Sequence, residues 1–189
     1  MKRNIICAIS LVLVISSGLA NDKVLFPGTI FDTDGEIISI DKLSEDRTVC
    51  VITVKATWCP VCREQLIRIR DRLAEYKRCN LTFLVLVPGE PEAIKHLKKR
   101  TRFPFPFIQD KELRISERYS LDRPPVEIFP AIFILNQDRT LRWMHRGRGP
   151  DYYSDQALSD YLDCSNWIWG ETTSYIDPIC VQWVDLLLS

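Results

Sequence analysis

The chain alternates between continuous apolar runs and segments with apolar residues at helical spacing. The runs Val49 to Val54, Leu81 to Val87 and Ala131 to Leu135 predict strands that are buried on both faces, as in sheets packed between helices. The helical pattern recurs in the segments 60–78, 91–100, 111–119 and 154–162. This order predicts an α/β sandwich with a mixed central sheet flanked by helices.

Polar and turn-forming residues divide these elements. Asp32-Thr33-Asp34-Gly35 separates two short apolar pieces and predicts an N-terminal hairpin. The segment 44–47 is interpreted as a polar connector, and the prolines in 103–108 predict extended backbone. A turn at 136–139 leads into a strand antiparallel to its predecessor, and Ser154 is expected to cap the last helix.

The first twenty residues have the pattern of a secretory signal peptide. Lys2 and Arg3 precede a short apolar run, and small residues end the segment at Ala20. The run is short for a membrane span, although an uncleaved anchor remains an alternative. The expected organisation is a signal peptide at 1–20, one domain at 21–163 and a C-terminal appendage at 164–189, packed on the domain. The protein is then extracytoplasmic, either secreted or in the secretory-pathway lumen, with the bacterial periplasm as the alternative.

The charge balance gives no sign of a polyanionic partner. Removing residues 1–20 leaves 23 basic and 25 acidic residues, a net charge of −2. Nucleic acid and anionic membranes are therefore not expected partners.

The candidate chemistry lies in Trp58-Cys59-Pro60-Val61-Cys62, between a buried strand and a helix. Unpaired N–H groups at a helix N-terminus favour an anion, and the thiolate is the form of cysteine that attacks disulfides. Cys62 lies one turn further along, within reach of Cys59. We interpret the two as a redox-active pair that needs no cofactor.

Two other interpretations of the pair stay open. The disulfide could be structural, or the cysteines could form half of a zinc site. A zinc site needs two further ligands, and His96 and His145 are isolated from each other. No metal is therefore expected.

With these residues the sequence resembles the thioredoxin-like superfamily, in its redoxin or TlpA-like branch, which borders the peroxiredoxin-like (AhpC/TSA) proteins. The resemblance covers about residues 26–163 and is carried by the leading hairpin, the Trp-Cys-Pro-Val-Cys segment and Phe129-Pro130-Ala131. It implies a cis Pro130 opposite the cysteines, with Trp58, Phe129 and Pro130 contacting an extended substrate.

Several positions depart from the family pattern. Thr53 stands where thioredoxins have a buried Asp, so deprotonation of Cys62 needs water or another group, such as Glu127 if it folds inward. Lys55 occupies a position that is usually aromatic. It is either a surface residue or a cation that lowers the pKa of Cys59.

The leading hypothesis is an exported thiol–disulfide oxidoreductase. Cys59 attacks a substrate disulfide and Cys62 resolves the mixed disulfide, and an unknown partner resets the pair. The substrates are protein or small-molecule disulfides and dithiols.

A peroxiredoxin-like thiol peroxidase is the first alternative. Against it, Ala56 stands where peroxiredoxins have a hydroxyl, Thr57 is displaced by one residue, and Ile52 replaces their upstream proline. A non-catalytic binding module is the second alternative.

Two structural disulfides and one modification site complete the predictions. Cys50 and Cys79 lie near the starts of strands expected to be neighbours, so we expect them to pair, which leaves Cys164 to pair with Cys180. Asn80 begins an N-glycosylation sequon, which is relevant if the host is a eukaryote.

Overall fold

A computed structural model of the chain describes residues 23–147 and 154–162. Strands alternate with helices through most of this region. The strands are β1 (Thr29–Phe31), β2 (Ile37–Ser39), β3 (Thr48–Thr53), β4 (Leu81–Val87), β5 (Phe107–Gln109), β6 (Asp122–Arg123), β7 (Glu127–Ile128), β8 (Ala131–Leu135) and β9 (Leu141–Arg146). The helices are α1 (Ile40–Asp46), α2 (Pro60–Asp71), α3 (Leu73–Arg78), α4 (Pro91–Thr101), α5 (Arg114–Arg118) and α6 (Ser154–Leu162), with a 3-10 turn at Lys111–Leu113.

Five strands form the mixed central sheet, in the order β5-β4-β3-β8-β9. Strands β3, β4 and β5 are parallel, whereas β8 is antiparallel to both β3 and β9. The predicted sandwich is therefore confirmed. Because β3 is the middle strand, the chain that leaves its C-terminal end starts from the centre of the molecule.

Both faces of the sheet are buried, which explains the continuous apolar runs. All seven residues of β4 are buried. On one face of β3, Cys50 and Ile52 pack in the same core as Leu66 of α2, and on the other face Val51 packs in a core with Phe133. Helix α2 is thus anchored to the sheet along its apolar side.

The N-terminal hairpin is confirmed, with β1 and β2 paired antiparallel. The Asp32 carboxylate accepts hydrogen bonds from the N–H groups of Asp34 (2.8 Å) and Glu36 (2.9 Å). Gly35 has φ +87°, a conformation that side chains disfavour. The Asp and Gly in the turn therefore have the roles that the sequence pattern suggests.

The segment after this hairpin was wrongly interpreted as a polar connector. Residues 44–47 include the end of helix α1, whose first turn is capped by Ser39: its hydroxyl oxygen accepts from the N–H of Lys42 at 3.3 Å. Ile40, the first residue of this helix, is completely buried. A helix of seven residues carries too few apolar positions for its period to stand out in the sequence.

The predicted helix over 60–78 is divided at Arg72. This residue has φ −107° and ψ 13°, outside helical geometry, and α3 begins after it. In α3 Tyr76 is buried, and its ring contacts Phe83 of β4 edge-on, with the ring centres 5.5 Å apart. The predicted helix over 111–119 is likewise divided, into a 3-10 turn and α5.

The proposed signal peptide, 1–20, and the C-terminal appendage, 164–189, lie outside the described residues. Within the described part, no helix has the length and apolar character needed to cross a membrane.

Candidate active site

Cys59 and Cys62 form a disulfide at the N-terminus of α2, with their Cα atoms 5.4 Å apart. Cys59 is the N-cap residue, in an extended conformation, and Pro60 occupies the first turn. The backbone N–H of Cys62 donates to Sγ of Cys59 at 3.3 Å. The sulfur thus takes the position of a capping oxygen, where an N–H group and the helix dipole both favour negative charge.

The two cysteines do not differ in solvent exposure. Cys59 and Cys62 are each 2% exposed, whereas the neighbouring Trp58 is 68% exposed. The predicted difference in reactivity therefore depends on the N–H that faces Cys59, and it stays a prediction. Trp58 is the large apolar side chain that this end of the helix presents to solvent.

Thr53 connects the end of β3 to the segment from Phe129 to Ala131. Its hydroxyl donates to the carbonyl of Phe129 (2.8 Å) and accepts from the N–H of Ala131 (2.6 Å). The side chain is almost completely buried. A neutral hydroxyl therefore takes the place of the buried carboxylate of thioredoxins, and its hydrogen bonds are made to backbone. The sequence indicated the substitution but gave no sign of these bonds.

The prediction of a cis Pro130 is wrong. The cis peptide bond in the described part of the chain joins Pro124 to Pro125, and the bond between Phe129 and Pro130 is trans. Trans is the favoured isomer unless the surroundings impose the other, and in this form the Phe129 carbonyl meets the Thr53 hydroxyl.

The backbone expected to pair with an extended substrate is already engaged. The N–H of Phe129 donates to the carbonyl of Leu121 at 2.5 Å, and the Phe129 carbonyl accepts from Thr53. The ring of Phe129 lies 4.4 Å from the guanidinium of Arg123, a contact with no signal in the sequence. Phe129 therefore lies beside the end of β3, where its backbone is bonded within the protein itself. The contact of Trp58, Phe129 and Pro130 with a substrate stays a prediction.

Lys55 and Glu127 contact each other next to this segment. Nζ of Lys55 lies 3.3 Å from Oε1 of Glu127 and 5.2 Å from the centre of the Trp58 ring. Both side chains are about one-third exposed, at 28% and 31%. Glu127 therefore does not fold inward as a base for Cys62. Lys55 is partly exposed, and its charge is paired with the Glu127 carboxylate.

The residues before Cys59 provide no hydroxyl at the position where peroxiredoxins have one. Ala56 is buried, and its carbonyl accepts from the N–H of Cys59 at 3.1 Å. The methyl group of Thr57 faces Gly89, 3.8 Å from where a side chain on that glycine would begin. Thr57, one residue after the position of the peroxiredoxin hydroxyl, thus turns its methyl group towards Gly89.

The predicted disulfide between Cys50 and Cys79 is wrong. Cys50 is a buried free thiol, and burial raises its pKa, whereas Cys79 is disulfide-bonded to another residue. The two strands are adjacent as expected, but Thr48 is opposite Leu81. This register places Cys50 four residues beyond the level of Cys79, about 13 Å along the strand and too far for a bridge. The Cys164–Cys180 pairing was inferred by elimination, so that inference no longer holds; both residues lie outside the described part.

Asn80 lies in the turn before β4. It is exposed, with φ +52°, and its Nδ2 donates to the carbonyl of Asp46 at 2.6 Å. Thr82, the third residue of the sequon, is only 5% exposed. Glycosylation of Asn80 stays a prediction. In the folded chain it requires Asn80 to give up its hydrogen bond.

No three His, Cys, Asp or Glu side chains converge as metal ligands within 23–147 and 154–162. The reactive groups of the described site are the two sulfurs of the Cys59–Cys62 pair, with the backbone N–H of Cys62 beside Sγ of Cys59.

Comparison with known proteins gives one family and several solved structures. The model of the AhpC/TSA family matches residues 22–144. A search of curated proteins finds no match.

The solved structures share the fold over about three-quarters of the chain. Peroxidoxin BcpB from Mycobacterium tuberculosis is 14% identical, with a TM-score of 0.64, over 77% of this chain and 98% of that one. The bacterioferritin comigratory protein of Xanthomonas campestris, described for alkyl peroxide reduction, is 13% identical, with a TM-score of 0.63, over 76% and 99%. A secreted Mycobacterium tuberculosis disulfide oxidoreductase homologous to E. coli DsbE is 17% identical, with a TM-score of 0.56, over 76% and 98%. At these identities the likeness shows the fold, and it confirms the predicted thioredoxin-like architecture.

Proposed function

Because the chain belongs to the AhpC/TSA family, a family of thioredoxin-fold redox proteins, we propose that it is a thiol–disulfide oxidoreductase whose redox couple is Cys59 and Cys62. The observation that carries the proposal is the Cys59–Cys62 disulfide at the start of α2, with the Cys62 N–H directed at Sγ of Cys59. A thiolate at Cys59 is stabilised by that N–H and by the helix N-terminus.

The reaction proceeds through a mixed disulfide. The Cys59 thiolate attacks one sulfur of the substrate disulfide, and the other substrate sulfur leaves as a thiolate. The Cys62 thiolate then attacks Sγ of Cys59, forms the intramolecular disulfide and releases the second substrate sulfur. Two electrons pass from the cysteine pair to the substrate, and the two thiol protons end on the substrate thiols. In the reverse direction the same steps oxidise a substrate dithiol.

Export of the protein is part of this proposal. It is supported by the basic start, the short apolar run and the small residues that end at position 20. The expected substrates are disulfides or dithiols of proteins or small molecules outside the cytoplasm, and a separate redox partner resets the pair.

A thiol peroxidase is the second candidate, favoured by the family and by the peroxiredoxin structures that share the fold. In such an enzyme a positioned donor holds the peroxide while the thiolate attacks its oxygen. Ala56 supplies a buried methyl group at the position of that donor. Removing one such donor costs about 10²–10³ in rate, so we expect peroxide turnover to be weak.

A trapping experiment tests the exchange mechanism. In a Cys62→Ser variant, Cys59 attacks but the mixed disulfide is not resolved, so disulfide-linked partners accumulate. A Cys59→Ser variant is the matched control, and it should trap little. Equal trapping by the two variants, or accumulation on Cys59→Ser alone, would contradict the assigned roles.

A further inference from the structure

Lys55 contacts both strand β7 and the side chain of Trp58, the residue before Cys59. Its ammonium group lies 3.3 Å from the Glu127 carboxylate and 5.2 Å from the centre of the Trp58 ring. Its backbone carbonyl accepts from the N–H of Ile128 at 3.1 Å. One residue therefore connects the β6–β7 hairpin to the aromatic side chain that precedes Cys59.

Trp58 depends on such contacts for its orientation. With 68% of its surface exposed, its ring is only partly held by packing. A cation within about 6 Å of the ring centre is attracted to the aromatic face. Glu127 fixes that cation, because an ion pair at 3.3 Å restricts the long lysine side chain. The three side chains thus form a chain of contacts, which we call the Lys55 bridge.

The hydrogen bonds of the Phe129 backbone indicate what the Lys55 bridge does. Since the N–H and the carbonyl of Phe129 are both engaged within the chain, they are not available to pair with a substrate in this conformation. Recognition of a polypeptide then falls to side chains. Trp58 is the large exposed apolar side chain adjacent to the redox pair in the sequence.

We propose that Lys55 is a positioning residue for polypeptide substrates: it orients Trp58 as the surface against which apolar residues next to a substrate disulfide pack. The inference rests on the proposed function and defines its substrate class, disulfides of polypeptides with apolar flanking residues. Lys55 acts through Trp58 and takes no part in the exchange of bonds.

The kinetic test uses a synthetic peptide with one disulfide flanked by leucines, with dithiothreitol as the recycling reductant. In the full chain, Lys55→Met should raise KM for this peptide about 2- to 5-fold, the factor expected for an exposed cation–π contact, without a matching fall in kcat. Lys55→Arg keeps a cation and should restore most of the effect. Lys95→Met is the matched control, because Lys95 also pairs with a glutamate, Glu92, on the exposed surface of α4.

A second measurement does not depend on activity. An ammonium over the face of an indole places the Lys55 ε-methylene protons in its ring current, so their NMR signals should lie upfield of those of other lysines. The shift should disappear in Trp58→Leu and decrease in Glu127→Gln. An unshifted signal in the wild-type protein would overturn the proposal.

The kinetic outcomes separate this inference from the function on which it rests. If the wild-type protein reduces the peptide and Lys55→Met leaves KM unchanged, the positioning role is wrong and the proposed function stands. If the wild-type protein reduces a small-molecule disulfide such as oxidised glutathione but not the peptide, the substrate class is wrong and the proposed function stands. If it reduces neither, the proposed function fails and the substrate class fails with it, even where the ring-current shift is present.

Discussion

The hydroxyl oxygen of Thr53 lies 2.6 Å from the backbone nitrogen of Ala131. This bond, with the one to the Phe129 carbonyl, holds the start of β8 against the end of β3. In the thioredoxins that the chain resembles, the Thr53 position holds a carboxylate. Here the Thr53 hydroxyl holds the backbone of Phe129 and Ala131, and the side chain carries no titrating group.

Replacing Thr53 tests this role. Thr53→Val keeps the shape of the side chain but leaves the Ala131 N–H and the Phe129 carbonyl without their partner. A buried group left unsatisfied costs about 1–3 kcal/mol, so the free energy of unfolding in urea should fall by about that amount. Thr53→Ser keeps the hydroxyl and should lose less. A Thr53→Val protein as stable as the wild type would show that these bonds contribute little.

The pH dependence of stability should reveal Cys50. Burial raises the pKa of this thiol in the folded protein, whereas the pKa of a thiol in the unfolded chain is about 8.5. Below that pH both states are protonated and the contribution to stability is complete. Above it only the unfolded state loses the proton. The unfolding free energy should therefore fall by up to about 1.4 kcal/mol per pH unit as the pH rises above about 8.5.

The Cys50→Ala variant provides the control. Burial also raises the pKa of Tyr76, and that of Tyr119 to about 12, so both tyrosines act in the same direction at higher pH. Their contributions cancel in the difference between the wild-type protein and the variant, measured from pH 8 to about 10. Parallel stability curves for the two proteins would contradict the assignment of the slope to Cys50.

The ion pair between Arg68 and Asp155 should stabilise the helix that carries the cysteines. Two hydrogen bonds, of 2.9 and 2.7 Å, join the guanidinium on α2 to the nearly buried carboxylate on α6. Asp155→Asn should cost about 1–2 kcal/mol, because the arginine is left with a neutral partner but stays partly solvated. Glu75→Gln breaks an exposed pair with Arg72 and should cost less than about 1 kcal/mol. If chemical denaturation shows that the two variants lose the same unfolding free energy, the partial burial of the Arg68–Asp155 pair does not strengthen it.

Much of the fold followed from the pattern of apolar residues. The buried run from Leu81 to Val87 is strand β4 with the predicted bounds, because a strand buried on both faces leaves no polar interruption. The break at Arg72 was missed, since neither glycine nor proline marks it. Tyr76, four residues after the break, packs against Phe83 of β4, a tertiary contact that the local sequence does not reveal.

The site was only partly predictable for the same reason. The order strand, Cys-Pro-Val-Cys and helix places Cys59 at a helix N-terminus from local sequence alone. Two other features depend on tertiary structure and cannot be inferred from local sequence. They are the register of β3 against β4, which separates Cys50 from Cys79, and the Lys55–Glu127 contact. The isomer at Pro130 was assigned by resemblance, and in this chain the bond is trans, which is the isomer favoured by default.

Cys59 should react before Cys62 in the reduced protein. The two residues are equally buried in the disulfide form, so the difference must come from the N–H that stabilises a thiolate at Cys59. Alkylation with iodoacetamide at neutral pH, followed by peptide mass analysis over time, should find the label first on Cys59. Earlier labelling of Cys62 would reverse the assigned roles.

The most direct measurement compares the rates at which two oxidants oxidise the reduced protein. Rapid mixing with equal concentrations of hydrogen peroxide and of a polypeptide disulfide, in separate reactions, follows formation of the Cys59–Cys62 disulfide, with Cys59→Ser as the control. Because Ala56 provides no hydroxyl to hold a peroxide, the polypeptide disulfide should oxidise the pair faster. If peroxide oxidises the pair much faster, the protein is a thiol peroxidase and the oxidoreductase assignment is wrong.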